Sequence, residues 1–387
     1  MNDEKNTLSL AFDSAVEKKS FNKAHIALRA RNVCVFGLGR YFDEAFLRQN
    51  VRERFHVNIL CDNNRKRLEE IENDPAYRGL RCVTPESLKD IEDLVVILML
   101  GDPESAIDQL SGIVCGGSLN CIAYNDLMLD YNVSLDQDDS MYASQKDRML
   151  EAYELMSDEH SKHVFKEVFC LRFAPEFAEG RYKDICELPQ YYPDDLFRLS
   201  PNECIVDCGA YTGDTLESFA DFTEGSFGSY DAYELDKTNY EALLDTAAKL
   251  KAAVRGDIRC HNYGVFSENR DISYGRDSAS ESYSIYNESD TEKARVVRLD
   301  DHIKTYLPKD NITFLKMDIE GAEMNALKGA EHIIQEQHPK LAICVYHRPE
   351  DLWNIPLYIN ALNPEYHLYM RHHATCYVAE TVCYAIP

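Results

Sequence analysis

The chain predicts an α/β protein built as two doubly wound units with a helical linker between them. Three observations carry that reading. Short apolar runs recur through both ends of the sequence, helix-patterned stretches separate them, and one run in each unit ends in a glycine-bearing turn with an acidic residue further on. Buried strands alternating with amphipathic helices give parallel sheets covered on both faces.

Composition sets the outer limits. The chain has 387 residues, 45% hydrophobic and 28% charged, enough for more than one domain. Its longest purely apolar run, Leu94 to Leu100, is too short to span a bilayer. The opening "MNDEKNTLSL" has no basic region before an apolar core, so no signal peptide is expected and a cytoplasmic location is. The 13 cysteines form no CxxC pair, and Cys34, Cys61, Cys204 and Cys344 sit inside strand-like runs, as buried reduced thiols do. A formal net charge of −26 repels phosphate backbones, which excludes nucleic acid as the expected partner.

Residues 1–130 read as the first unit. "NVCVFGLG" is an apolar run ending in glycines, "YFDEAFLRQN" has helical spacing, and "HVNILCDNN" is a second run ending in Asp62. "DLVVILML" and "NCIAY" come next. Gly37 and Gly39, with Asp62 twenty-three positions after Gly39 (62 − 39), give Rossmann-like spacing. Phe42 occupies the third glycine position, however, where close helix–strand packing wants no side chain. The unit resembles degenerate nucleotide-binding units attached to sugar-modifying enzymes. A scaffold or homo-oligomer contact is expected of it ahead of ligand binding.

Residues 131–200 read as the linker. "SLDQDDSM" is polar and acidic, "YASQKDRMLEAYELMSDEHSKHVFKEVF" is helical in pattern, and "YPDD" and "SPNE" punctuate the stretch after it. Residues 201–387 read as the larger unit. Strands are predicted near 203–208, 230–235, 258–263, 312–318, 340–346, 366–371 and 378–385. Helical faces carry Leu216, Phe219 and Ala220, and later Ala326, Leu327, Ala330, Ile333 and Ile334. The Ser- and Tyr-rich insert "ISYGRDSASESYSIYNESDTEKARVVRL" predicts a β-excursion.

The motif that bears on chemistry is "VDCGAYTGDT". A strand ends at Asp207, Gly209 and Gly213 turn the backbone tightly, and a helix begins near Asp214, which makes a ligand crevice at a strand's carboxyl end. Glu234 ends the next strand, twenty-one positions after Gly213 (234 − 213), where a carboxylate can accept both ribose hydroxyl hydrogens. NAD and S-adenosylmethionine share that need. The carboxylates of Asp207, Asp214 and Glu234 disfavour a pyrophosphate and suit an ammonium and a sulfonium. Tyr211 also breaks the G-x-G-x-x-G pattern.

"VDCGAYTGDT", "YELDKTNYEALL", "VVRLDDHI", "ITFLKMDIEGAEMNALKGA", "QYYPDD" and "ICVYHRPEDLWNIPLYI" together resemble the FkbM-type methyltransferase family over about residues 185–387. The resemblance implies a class I S-adenosylmethionine-dependent methyltransferase fold with a seven-stranded sheet, and O-methyl transfer to sugars or sugar-bearing metabolites. It places Asp207, Gly209, Gly213 and Glu234 at cofactor positions and Asp318 beside the methyl group; Ala210, Asp214, Thr215 and Asp236, next to them in the chain, are expected cofactor contacts as well, as is Asp318.

Methyl transfer to oxygen is an in-line displacement that needs alignment and the removal of one proton. Asp318 ends the fourth strand and can take that proton or hold a divalent metal that acidifies the hydroxyl. Glu320 and Glu323 come after it, in positions that also suit a helix N-terminus. His347 ends the fifth strand, and an imidazole can act as general base at neutral pH. Asp318 and His347 are therefore the expected catalytic pair. Tyr191, Tyr192, Glu320, Arg348 and His372 are the expected substrate contacts. The remaining alternatives are an NAD(P)-dependent sugar-modifying enzyme and a non-catalytic cofactor-binding module.

Overall fold

The apolar runs of the first unit form a five-stranded parallel sheet in the computed structural model, which describes residues 2–101, 103–113, 120–134, 139–276, 283–284, 292–306 and 311–387. Its strands are β1 (Asn32–Phe36), β2 (Ile59–Cys61), β3 (Arg81–Val83), β4 (Leu94–Leu98) and β5 (Asn120–Ala123), in the order β3-β2-β1-β4-β5. Val33 and Val35 enter one apolar cluster and Cys34 and Phe36 the other, because strand side chains alternate between faces. Continuous apolar strands are thus covered on both sides.

Two of the positions that a dinucleotide turn keeps free are occupied in this unit. Phe42 is fully buried and stacks on Phe46 and Tyr77, filling the space that a third glycine would leave open. Asp62, the candidate ribose carboxylate, accepts the backbone N–H groups of Leu38 and Asn64, each at 2.7 Å.

The helix-patterned stretch of the linker forms two α-helices, Lys146–Glu154 and Glu159–Phe173. Between them Ser157 donates its N–H to the Leu368 carbonyl, and Asp158 caps the second helix by accepting from Ser161 at 2.6 Å. The helix Asn2–Lys18, grouped with the first unit by sequence, packs instead on this pair and on the larger unit. Leu8, Ala11, Phe12 and Ala15 recur at helical spacing, and Phe12 stacks on Phe169 and meets Trp353 edge-on.

The larger unit runs β6 (Cys204–Cys208), β7 (Ser229–Tyr233), β8 (Asp257–His261), β9 (Gly264–Val265), β10 (Arg270–Arg276), β11 (Tyr283–Ser284), β12 (Glu292–Val297), β13 (Phe314–Met317), β14 (Lys340–Cys344), β15 (His367–His372) and β16 (Thr381–Ile386). Seven of these form one sheet, β15-β16-β14-β13-β6-β7-β8, in which β16 runs antiparallel to both neighbours. This is the doubly wound seven-stranded sheet that the sequence predicts. The insert adds a four-stranded sheet, β11-β10-β12-β9, and its residues 277–282 and 285–291 lie outside the described residues. No described helix is long and apolar enough to cross a membrane, and no disulfide joins described residues.

Candidate active site

The chain winds one way from β6 through β7 to β8 and the other way from β13 to β14. The crevice therefore opens where β6 and β13 lie side by side, above their carboxyl ends. A cavity of about 460 Å³ occupies that position. Four non-glycine residues with left-handed backbone line it: Tyr191 (φ 66°), Tyr211 (φ 47°), Glu320 (φ 57°) and Glu380 (φ 68°). Strain of that kind persists only where the surrounding structure holds it, and it gathers at working sites.

Of the expected cofactor residues, Gly209, Asp214, Thr215, Glu234 and Asp318 line the cavity. Glu234 Oε2 accepts the Tyr211 N–H at 2.9 Å, and its Oε1 accepts the Asp236 N–H at 2.8 Å. Burial pushes this carboxyl up to about 7, against the two amides that favour its charge. Asp207, Ala210, Gly213 and Asp236 are not lining residues and act beneath the wall. Asp207 is fully buried, pairs with Lys316 at 2.9 Å and accepts the Tyr230 hydroxyl. Ala210 donates its N–H to the Tyr233 carbonyl in the turn. Gly213 (φ 94°) starts the helix Asp214–Phe222, where a Cβ would press on Thr246. Asp236 caps the helix Lys237–Leu250, accepting from Asn239 at 2.8 Å.

The ends of β13 and β14 bring the expected catalytic pair together. His347 Nε2 lies 3.6 Å from Asp318 Oδ1 and 3.5 Å from Glu320 Oε2, while its Nδ1 lies 3.0 Å from Glu323 Oε1. Burial would lower the His347 imidazole, but the charges of Glu323, Glu320 and Asp318 outweigh it and raise it to about 10. At neutral pH His347 therefore carries its proton and is not the free base that its position in the sequence suggests. Asp318 accepts the Tyr191 hydroxyl at 2.8 Å and the Tyr346 hydroxyl at 2.9 Å. Against a burial penalty, the Lys316 and His347 charges and the two hydroxyls hold its carboxyl below its ordinary value. Lys316 Nζ donates to the Gly209 carbonyl at 2.8 Å and lies 5.1 Å from the centre of the Tyr191 ring.

Tyr191 and Glu320 line the cavity as expected of substrate contacts, but three others do not. Tyr192 packs among Phe219, Phe222 and Phe314 below the site. The Arg348 side chain turns away and donates to the Gly321 carbonyl at 3.0 Å. His372 is fully buried, 2.8 Å from the Thr381 hydroxyl and in tilted ring contact with Tyr182.

Three sources of lining residues were not singled out from sequence. Lys316 sits one residue before the strand's end, and Tyr346 directly before His347. Glu380 lines the cavity from the turn before β16, and burial and the Asp318 charge push it up to about 7, against the Gln190 hydrogen bond. The helix Tyr124–Ser134 of the first unit supplies Tyr124, Asn125, Asp126, Met128 and Leu129. No local signal in the sequence brings that helix to this cavity.

Residues 207–374 match the family model described as a methyltransferase FkbM domain. The fold is similar to that of the crystal structure of methyltransferase FkbM from Methylobacillus flagellatus KT, with a TM-score of 0.68 and 22% identity over 98% of this chain and 100% of that one. An rRNA methylase from Streptococcus thermophilus aligns at a TM-score of 0.31 and 12% identity, over 48% of this chain and 87% of that one. No curated protein matches the chain.

Proposed function

We propose, from the premise that residues 207–374 are a methyltransferase FkbM domain, that the chain is an S-adenosylmethionine-dependent O-methyltransferase acting on a hydroxyl of a small molecule, with sugars and glycosides as the acceptor class. The observation that carries this reading is the charge of the cavity at the switch point. Asp214, Glu234, Asp318, Glu320 and Glu380 line it, and its cationic lining side chains are Lys316 and His347, both already facing carboxylates. Such a wall repels a pyrophosphate and complements a ligand with an ammonium and a sulfonium.

The residues fit the cofactor. Glu234 would accept the ribose hydroxyl hydrogens, and Asp214 and Asp318 would complement the positive charges. When bound, S-adenosylmethionine supplies an electrophilic methyl carbon. The chain must orient the acceptor oxygen, exclude water and take the hydroxyl proton. His347 already holds a proton and Asp318 is held below the ordinary carboxylate range, so both are poorly suited to accept one. Glu380, raised to about 7, is the lining carboxylate matched to proton abstraction near neutral pH. The helix Tyr124–Ser134 gives the first unit a share in acceptor binding.

Calorimetry with S-adenosylhomocysteine and, separately, with NAD tests the cofactor, and turnover on a panel of hydroxylated acceptors tests the reaction. Glu234→Ala should weaken S-adenosylhomocysteine by about tenfold or more, since hydrogen bonds to a charged group contribute roughly 1.5–3 kcal/mol. Binding of NAD with none of S-adenosylhomocysteine would overturn the reading.

A further inference from the structure

The geometry points to a divalent-cation site of the Mn²⁺ or Mg²⁺ class at the end of β13 and β14, with Asp318, Glu320 and His347 as its protein ligands. His347 is 1% exposed, lines the cavity, and its Nε2 has no hydrogen-bond partner among the described residues. That buried nitrogen faces Asp318 at 3.6 Å and Glu320 at 3.5 Å. Ligand atoms each about 2.1 Å from one ion lie roughly 3.0–3.7 Å apart at angles of about 90–120°. Nε2 is thus already near this spacing from an oxygen of each carboxylate, and an ion between them would draw the two oxygens together around it.

The groups behind the three ligands also suit a metal. Glu323 is fully buried, and its Oε1 lies 3.0 Å from His347 Nδ1 while accepting the Ile319 N–H at 2.8 Å. A carboxylate behind the imidazole favours the Nδ1–H tautomer, so that an ion at Nε2 would displace the proton held there and leave the one facing Glu323. The Tyr191 and Tyr346 hydroxyls orient Asp318 in the same way. Glu320 is held in left-handed backbone (φ 57°), and Gly321 after it is left-handed too (φ 88°), so the chain accepts strain to turn that carboxylate where it is.

Asp318 and Glu320 keep 20% and 34% side-chain exposure toward the cavity, which leaves open coordination positions for water or an acceptor hydroxyl. Two carboxylate oxygens and one imidazole favour a hard divalent cation over a thiophilic one. The use of the ion in catalysis rests on the methyl-transfer reading, where it would acidify a coordinated hydroxyl. The existence of the site does not rest on it.

The test is electron paramagnetic resonance of Mn²⁺ titrated into the full-length chain, with S-adenosylhomocysteine affinity measured alongside. The expected result is one bound Mn²⁺ per chain, with nitrogen coupling from one imidazole in the spin-echo spectrum. His347→Gln should remove that coupling. Glu320→Gln, at a partly exposed position that leaves the core intact, should weaken Mn²⁺ at least tenfold without changing the circular dichroism. His163→Gln is the control, because among the described residues His163, Glu167 and Glu179 bring metal-ligating atoms together elsewhere, as Asp318, Glu323 and His347 do here. The proposal is overturned if no Mn²⁺ binds, if Glu320→Gln leaves binding unchanged, or if His163→Gln removes it. Failure of the methyl-transfer reading would appear separately, as absent S-adenosylhomocysteine binding with Mn²⁺ binding intact.

Discussion

Gly209 lies so close beneath Asp318 that a Cβ placed on it would stand 1.8 Å from the Asp318 carbonyl oxygen. The contact joins β6 to β13 at the point where the cavity opens, and Gly209 also has left-handed backbone (φ 85°). Gly209→Ala combines a backbone clash with an unfavourable φ, and the φ alone costs about 1–3 kcal/mol. It should lower the melting temperature and abolish S-adenosylhomocysteine binding. In the first unit Gly37 holds the corresponding place after β1, also in left-handed backbone (φ 95°), whereas Gly39, the N-cap of the next helix, has open space where a Cβ would go, with no atom within 4 Å, and an ordinary φ of −86°. Gly39→Ala should cost no more than about 1 kcal/mol. Equal thermal shifts for the two variants would contradict both expectations.

Glu234 sets a pH dependence for cofactor binding. Burial raises its carboxyl to about 7, with Asp236 raising it further while Lys316 and the Tyr211 and Asp236 amides pull it down. The folded state thus binds the proton more tightly than the unfolded chain does, and this contribution to stability fades as pH rises from the ordinary carboxylate range through 7. Ribose hydroxyls donate to the ionised form, so binding below 7 must expel the proton. S-adenosylhomocysteine affinity should fall about tenfold per pH unit below 7 and level off above it. Calorimetry from pH 5.5 to 8 checks this. Glu234→Gln should bind weakly and lose the slope; a slope retained in that variant belongs to another group.

Glu380→Gln tests the assignment of the base. Loss of general-base catalysis costs roughly 10²–10⁴ in rate, while S-adenosylhomocysteine affinity should stay within about threefold. Turnover measured with binding separates the two. Full activity in Glu380→Gln would reassign proton removal to Asp318.

The sheet was legible because strands such as β6, β14 and β16 are rich in buried apolar residues, and the carboxylates that follow β7 and β13, Glu234 and Asp318, line the crevice. Asp318, Glu234 and His347 could be found on that ground alone. The protonation state of His347 was not legible. It depends on Glu320 and Glu323 curling back through left-handed backbone at Glu320 and Gly321, which no periodicity encodes. Glu380 was missed because it belongs to a turn far along the chain that β16 folds back over the site. Arg348 and His372 were misplaced because strand-end position alone does not say which way a side chain leaves the sheet. The helical pattern over the linker gave no sign of the break at Asp158, which serves as a cap for the second helix.

A buried chain of contacts ties the first unit to the cavity above β13 and β14. Asp130, on the helix Tyr124–Ser134, pairs with Arg172 Nη2 at 2.9 Å and accepts the Lys23 N–H at 2.7 Å. Arg172 Nη1 donates to the Tyr346 carbonyl at 2.7 Å, and the Tyr346 hydroxyl donates to Asp318. The Asp130 and Arg172 side chains are 1% and 2% exposed. Asp130→Asn leaves a guanidinium buried without its counter-charge, which costs about 3–5 kcal/mol, whereas replacing both members of such a pair by apolar groups is often nearly neutral. Asp130→Asn should therefore shift the urea midpoint strongly, and Asp130→Leu combined with Arg172→Met should recover much of the loss. The double variant should still release Tyr346 and weaken turnover, because the carbonyl next to His347 loses its donor. A destabilisation below about 1 kcal/mol in Asp130→Asn would mean that the two units are held together by their apolar contacts instead.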